Sequence, residues 1–482
     1  MQTITWQTLR RAGGTLKVPF HLALDDQNVP LVCQEVIRII PGKRLVAFGI
    51  WQEQKVAIKL FYERGRAKRD CERDVFGIEA LMQANVPTPK LLFKGTAEKN
   101  RIQVLMYQKI DRAKSLETLW QEKNNPEELA PLMRSVTIEI ATQHVLGILQ
   151  HDLHLKNFLV TESFIYTLDG GKISKFDHPL DKKISMEYLS LLLAQLGVGV
   201  SDLQLALFDI YTKSRGWLVK PSDINDFKKM IAQHTQKRWR SYQKKIFRTC
   251  SAFKRLNKIN KNILYDCSYE SAEFMQFLQN PESVFNHPST KLLKIGNTST
   301  VAKININNRS FVVKRYNIKD GWHWLRRCLR RTRAAKSWRV AQHLYAFGVP
   351  TAKPVAYIEN HILGLRGKSY FLMEYIEGIN IGDYFAAYSQ EDEHYKQMAR
   401  SILALFDSLA EIRVTHGDLK MTNILVENGK PYLIDLDGVS EHRTHLSLRL
   451  SFKNEIKRFM QNWQNRPLVY ALFESLMKGI ET

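Results

Sequence analysis

The chain is poor in cysteine. Cys33, Cys71, Cys250, Cys267 and Cys328 are its five, odd in number and without a C-x-x-C pair. That usage argues against a disulfide framework or a structural zinc site and makes a reducing compartment the default. Long apolar runs are also missing. The most apolar stretch, 188–200 (YLSLLLAQLGVGV), is too short and too interrupted to span a bilayer and reads as a buried helix. The N-terminal MQTITWQTLRRAGG has no apolar centre of signal-peptide length. These absences predict a cytoplasmic protein whose membrane contact, if any, is peripheral. Acid is in deficit: 48 Asp and Glu against 71 Lys and Arg leave a net charge of +23. Such a balance favours a polyanionic partner, whether nucleic acid, an anionic membrane surface or a phosphorylated substrate. No nucleic-acid recognition motif accompanies it, which argues against that class. Apolar residues at 44% and charged residues at 25% are those of an ordinary globular protein, and 482 residues suffice for two or three domains with real cores.

What the chain does have is an internal repeat. Residues 416–425 read HGDLKMTNIL and 433–438 read LIDLDG; earlier, 150–159 read QHDLHLKNFL and 167–171 read TLDGG. Asp418 precedes Asn423 by 5 residues and Asp435 by 17, and Asp152 precedes Asn157 by 5 and Asp169 by 17. One such triplet alone could be turn residues between strands; two agreeing in type and spacing set an architecture.

The repeat extends upstream. KVAIKLF (55–61) and SFVVKRY (310–316) are short apolar strands, each carrying one inward lysine, Lys59 and Lys314. Each precedes a basic, helix-compatible stretch that stops at Val-Pro-Thr, residues 86–88 and 349–351. The strand-like runs RIQVLMYQKI (101–110) and KSYFLMEYIEG (368–378) follow, fitting the last strand of a small lobe and the hinge into a larger helical lobe. The predicted fold is therefore α+β, two tandem bilobal units, each a small antiparallel-sheet lobe with a helical lobe. The units are placed at 1–240 and 285–482, with 241–284 as a basic helical connector, since 237–261 holds ten Lys and Arg and no acid.

Lysine strand, D-x-x-x-x-N loop and a later aspartate are the parts that phosphoryl transfer needs. Lys59 and Lys314 would hold the α- and β-phosphates of ATP. Asp152 and Asp418 would orient an acceptor hydroxyl and take its proton. Asn157, Asp169, Asn423 and Asp435 offer hard oxygen ligands for magnesium, with manganese as the alternative metal. The lysine needs a carboxylate on the following helix; Glu79 is the candidate, with Glu72 behind it. Counting from Val-Pro-Thr places Gln342 opposite Glu79, and no acid stands between Asp320 and Glu359, so the second unit lacks a helix partner for Lys314. Gly42 and Gly296, in IIPGKRLVAFG and KIGNTSTVAK, would let the backbone approach phosphate, although neither loop has the G-x-G-x-x-G pattern. His154 stands where Lys420 stands in the other copy, and the pairs His151/His154 and His442/His445 read as local structure rather than metal ligands.

At these residues the chain resembles the bacterial lipopolysaccharide core kinases, the heptose and Kdo kinases of the protein-kinase superfamily. IPGKRLVAFGIWQEQKVAIKLF, EALMQANVPTPKLL and QHDLHLKNFLV carry the likeness in the first copy, and FVVKRYN, GVPTAKPVA, FLMEYIEG and HGDLKMTNILV in the second. The resemblance implies ATP, magnesium and a hydroxyl acceptor on a core sugar of the lipid A-anchored glycan. A protein Ser/Thr kinase, and a scaffold in which one unit binds nucleotide without turnover, are the competing readings. Residues 322–339 (WHWLRRCLRRTRAAKSWR) hold seven Lys and Arg and no acid. Read as an amphipathic helix, they set Arg326, Arg330 and Arg333 toward an anionic membrane or glycolipid; a solvated helix face accounts for them equally.

Overall fold

The computed structural model describes residues 2–123, 126–288, 290–318, 328–362, 364–387 and 393–478. The chain is mixed α+β and divides into two compact units, Met1–Leu196 with Val200–His234, and Gly197–Gly199 with Thr235–Thr482. Among the described residues no helix is long and apolar enough to cross a membrane.

In the first unit β1 (Gln2–Thr3), α1 (Trp6–Arg11), β2 (Phe20–Leu24), β3 (Gln27–Ile40), β4 (Arg44–Trp51), β5 (Gln54–Phe61), α2 (Ala67–Gln83), β6 (Leu91–Ala97) and β7 (Ile102–Gln108) form the sheet portion. Its strand order is β1-β2-β3-β4-β5-β7-β6, and β2 also meets β6 at Leu24 and Ala97, curling the sheet toward closure. Alternation along β5 decides where the lysine goes. Val56, Ile58 and Leu60 point into one apolar cluster; Phe61 and Ala57 point into another, shared with Cys71, Val75, Ile78 and Leu81 of α2. Lys59, in phase with Ala57 and Phe61, faces α2. The helical portion follows: β8 (Lys114–Ser115), α3 (Leu116–Lys123), α4 (Pro126–Val145), β9 (Ile148–Gln150), β10 (Phe158–Val160), β11 (Ile165–Thr167), β12 (Ile173–Lys175), α5 (Lys182–Leu193), α6 (Ser201–Ser214) and the part of α7 (Pro221–Lys245) up to His234, packed round Met133, Ile140, Phe158, Leu189 and Tyr211.

The second unit repeats the plan. Its strands are β13 (Phe253–Lys258), β14 (Lys261–Asp266), β15 (Lys291–Ile295), β16 (Ser299–Ile306), β17 (Arg309–Tyr316), β18 (Pro354–Ile362) and β19 (Leu365–Glu374), with α8 (Ala272–Gln279) and α9 (Arg333–Ala346). The order is β13-β14-β18-β19-β17-β16-β15. Lys59 lies across from Val46 and Leu105, and Lys314 across from Val301 and Phe371, the same place in each sheet. Then come β20 (Ile379–Asn380), α10 (Ile381–Ala387), α11 (Glu393–Glu411), β21 (Val414–Thr415), β22 (Ile424–Glu427), β23 (Lys430–Leu433), β24 (Ser440–Glu441), α12 (His445–Gln461) and α13 (Pro467–Lys478).

Two expectations are corrected. Residues 241–284 are not a helical connector: α7 ends at Lys245, and β13, β14 and α8 belong to the second unit, which starts at Thr235 rather than 285. The stretch 322–339 is not one helix. Residues 328–332 are turn and coil, and α9 starts at Arg333 behind the cap of Thr332 on the Ala335 amide. Arg330 is exposed on that turn, and Arg326 lies outside the described residues.

In the first unit α2 presses directly on the loop after β11. A Cβ on Gly77 would stand 2.0 Å from the Gly170 carbonyl oxygen, and one on Gly170 would stand 2.1 Å from that of Asp74. Glycine inside a helix costs about 1 kcal/mol against alanine, so its presence here answers the close approach. Gly77→Ala should therefore destabilise the protein by about 1–3 kcal/mol through overpacking. Urea denaturation would read this; a midpoint raised as in an open helix would show that the contact is not tight.

Candidate active site

Both copies build the same loop framework. The Asn157 amide donates to the Asp152 carbonyl at 2.7 Å, and that of Asn423 to the Asp418 carbonyl at 2.8 Å. With the amide nitrogen engaged, the side-chain oxygen of each asparagine is left as an acceptor. The Leu168 amide then donates to the Asn157 carbonyl, and the Ile434 amide to that of Asn423, at 2.8 and 3.0 Å. These bonds tie the asparagine to the residue before the later aspartate, so 17 residues of chain close into one site. Asp169 and Asp435 both sit in the left-handed region, at φ 66° and 57°. Few residues other than glycine, asparagine and aspartate go there readily. The Val-Pro-Thr stops are part of the frame as well: Thr88 donates to the Thr167 carbonyl at 2.9 Å and Thr351 to the Leu433 carbonyl at 2.8 Å.

Lys59 Nζ lies 2.8 Å from Asp74 Oδ2 and 3.3 Å from Asp169 Oδ1. Burial opposes its charge, the two carboxylates outweigh that, and the ammonium group is held above its ordinary range. Asp169 is likewise held below the usual carboxylate value: burial works against ionisation, and Lys59 and Arg44 prevail. The helix partner is Asp74, not Glu79. Asp74 is fully buried, also accepts from Tyr107 Oη at 2.7 Å, and shares its face with Ile78 and Leu81. Glu79 and Glu72 are exposed. Gln342, counted opposite Glu79, is buried and accepts from Tyr242 at 3.0 Å, outside the site.

In the second unit Lys314 Nζ lies 2.5 Å from Asp435 Oδ1 and 2.9 Å from Asp437 Oδ2. No acid on the helix reaches Lys314, as the sequence suggested; the loop supplies its partners instead. Asp437 also takes Arg333 at 2.5 Å, Tyr316 Oη at 2.7 Å and Ser337 Oγ at 3.1 Å. Burial would raise its carboxyl; Lys314 chiefly overcomes this and holds it below the ordinary value. Arg333 is thus engaged inside the unit. A pocket beside Lys314 is lined by Ala341, Thr351, Phe371, Met373, Leu433 and Asp435, an apolar slot with charge at its inner end.

Asp152 and Asp418 have different companions. Asp152 pairs with His154 Nε2 at 2.8 Å. The Gln195 amide nitrogen donates to the Leu153 and Leu191 carbonyls, so its oxygen faces His154 Nδ1 at 2.8 Å and Nδ1 carries a proton. Asp418 pairs with Arg458 at 2.7 Å and Lys420 at 3.3 Å. From α12, Glu455 accepts the His416 amide at 3.0 Å and also that of Gly417, fixing the loop from behind. Gly42 forms a left-handed hairpin turn open to solvent, and Gly296 closes the β15–β16 turn through a 3.1 Å bond from its amide to the Ser299 carbonyl. His151, His442 and His445 bond to neighbouring side chains, and no cluster of three metal-ligating side chains occurs among the described residues. The available donors, one asparagine oxygen and one aspartate per copy, suit a hard cation that takes its other ligands from phosphate and water.

Residues 275–478 match the sequence profile of the lipopolysaccharide kinase (Kdo/WaaP) family. The matched stretch lies within the second unit. Two curated relatives, both 3-deoxy-D-manno-octulosonic acid kinases of Haemophilus influenzae, strains PittEE and 86-028NP, are each 30% identical over 159 residues. That alignment takes in 30% of this chain and 65% of each relative, so the chain spans about two-thirds of their length. Lys314, Asp418, Asn423, Asp435 and Asp437 all fall inside the matched range.

Asp74, Asp437 and Arg458 were not foreseen. Asp74 was hidden by the nearer Glu79, although its spacing to Ile78 and Leu81 marks the buried stripe. Asp437 is legible only when the two loops are compared, LDGG against IDLDG. Asp74→Ala should cost about 3–5 kcal/mol of stability by stranding the partly buried Lys59, whereas Glu79→Ala should stay within about 0.5 kcal/mol. Chemical denaturation of the two variants would check the ranking, and a larger loss for Glu79→Ala would overturn the assignment.

Proposed function

We propose that this chain is an ATP-dependent kinase that phosphorylates a hydroxyl of a lipopolysaccharide core sugar, Kdo or heptose, and that each unit is a bilobal protein-kinase-like domain. The observation that carries the reading is the convergence of Lys314, Asp435, Asn423 and Asp418 inside the stretch matching the lipopolysaccharide kinase family. The first unit offers the same set in Lys59, Asp169, Asn157 and Asp152.

Phosphoryl transfer asks for position and charge neutralisation more than covalent chemistry. Lys314 is aimed by two carboxylates at one point on the cleft wall, where it would hold the α- and β-phosphates. The apolar slot from Ala341 to Met373 fits a nucleobase. Asn423 and Asp435 would hold magnesium, which when bound neutralises charge on the transferring phosphate. Asp418, paired with Arg458 and Lys420, would orient the acceptor hydroxyl and accept its proton. Gly42 and Gly296 would cover the phosphates. The excess of base over acid suits a phosphorylated glycolipid and the anionic surface that carries it, at the inner face of the membrane.

Mass spectrometry of the lipopolysaccharide core from cells lacking the protein should show a missing phosphate. Complementation with Asp418→Ala should restore little of it, since general-base contributions run about 100- to 10,000-fold. Asp435→Asn should behave the same way while leaving the fold intact. Full core phosphorylation in cells carrying Asp152→Ala, Asp169→Asn, Asp418→Ala and Asp435→Asn together would defeat the reading. In vitro, chelation of divalent metal should stop transfer, and adding magnesium should restore it.

A further inference from the structure

The two copies solve one electrostatic problem from opposite sides of the cleft. We propose that the carboxylate positioning the phosphate-binding lysine has moved in the second unit from helix to loop, Asp437 doing for Lys314 what Asp74 does for Lys59. This deepens the nucleotide reading above and rests on it.

Asp74 and Ser337 each stand 12 residues before the valine of Val-Pro-Thr, Val86 and Val349. They are therefore the same helix position in the two copies, an acid in one and a hydroxyl in the other. Gly171 and Asp437 each stand two residues after the left-handed aspartate, Asp169 and Asp435. Where the helix has lost its acid, the loop has gained one.

Space agrees with sequence. A Cβ placed on Gly171 would lie 3.3 Å from Asp74 Oδ2 and 3.8 Å from Asp169 Oδ1. A side chain at that position thus starts against the carboxylate it would replace. In the second unit Asp437 fills that place and bonds back to the vacated helix position, Ser337 Oγ, at 3.1 Å. Each carboxylate also takes a tyrosine hydroxyl from a strand of the sheet, Tyr107 onto Asp74 and Tyr316 onto Asp437, both at 2.7 Å. The tyrosines come from different strands, β7 and β17, so the pairing was rebuilt and not simply inherited.

Physical chemistry allows one carboxylate here and not two. Acids at both positions would stand within a few ångströms of each other, and like charges at that distance drive one to protonate. With acid at neither position, the lysine would keep only the carboxylate that the metal must share, and a partly buried cation would be left underpaired. Each copy shows one of the two permitted combinations, Asp with Gly or Ser with Asp.

The test is a transplant in the full-length chain, with the first site weakened by Asp169→Asn. MgATP affinity is measured by calorimetry, kcat and KM for ATP in transfer, and the melting temperature alongside. Asp437→Gly should lose at least about tenfold in MgATP affinity and in kcat/KM. Asp437→Asn, which keeps size and hydrogen bonding, should show the same loss and guards against a glycine variant that fails to fold. Adding Ser337→Asp to Asp437→Gly rebuilds the first unit's arrangement and should return affinity to within about threefold of the Asp169→Asn background. Ser337→Asp alone, with Asp437 kept, should weaken binding. Unchanged affinity in both Asp437 variants would overturn the proposal. So would a Ser337→Asp, Asp437→Gly chain that regains its melting temperature but not its affinity, since Asp437 would then be only a tie for Arg333. A background chain that binds no MgATP would instead defeat the nucleotide reading.

Discussion

A lysine in a half-closed cleft must keep its charge and be aimed. The strand supplies only direction: period-two alternation turns Lys59 and Lys314 toward the helix side of the sheet. The charge is paired with carboxylates brought from elsewhere in the chain, and much of the architecture exists to deliver them. Helix α2 must lie close enough for Asp74 to reach, which is why Gly77 and Gly170 meet without side chains. The later loop must be fixed for Asp169 or Asp435 to reach, which is why the asparagine, the Leu168 or Ile434 amide and the Val-Pro-Thr hydroxyl form one braced corner.

How much of this the sequence shows depends on how local each signal is. The lysine strands, the Val-Pro-Thr stops and the two Asp-Asn-Asp triplets are short motifs with fixed spacing, and the strand register places them alike in both sheets. The segment 241–284 misleads because its charge is read before its period. β13 is an edge strand whose lysines point to solvent, a usual way for a sheet edge to discourage pairing with another chain, and the absence of acid made it look like a basic helix. The lysine partners were the hardest to see. Glu79 and Glu72 lie on the same helix as Asp74, and only the rotation of that helix, set by the Ile78 and Leu81 stripe, separates them. Asp437 needs a loop folded back on itself, which no periodicity reports.

The companions of Asp152 and Asp418 differ as much as the lysine partners do. His154 is locked between Asp152 and the Gln195 oxygen. Arg458 and Lys420 put two permanent cations beside Asp418, one from α12 and one from the loop itself. The surroundings of Asp418 are therefore more positive than those of Asp152, and the likeness to lipopolysaccharide kinases falls on that same unit.

Asp169 and Asp435 hold left-handed backbone, a conformation that costs a residue bearing a side chain on the order of 1 kcal/mol and a glycine almost nothing. Glycine is close at hand: Gly170 and Gly171 follow Asp169 directly, and Gly438 lies three residues after Asp435. A copy that had also lost its lysine would gain by the change to glycine, since no ion pair would then offset the strained backbone. Neither copy has taken that step. Both halves of this chain thus keep the strained aspartate together with the lysine it meets.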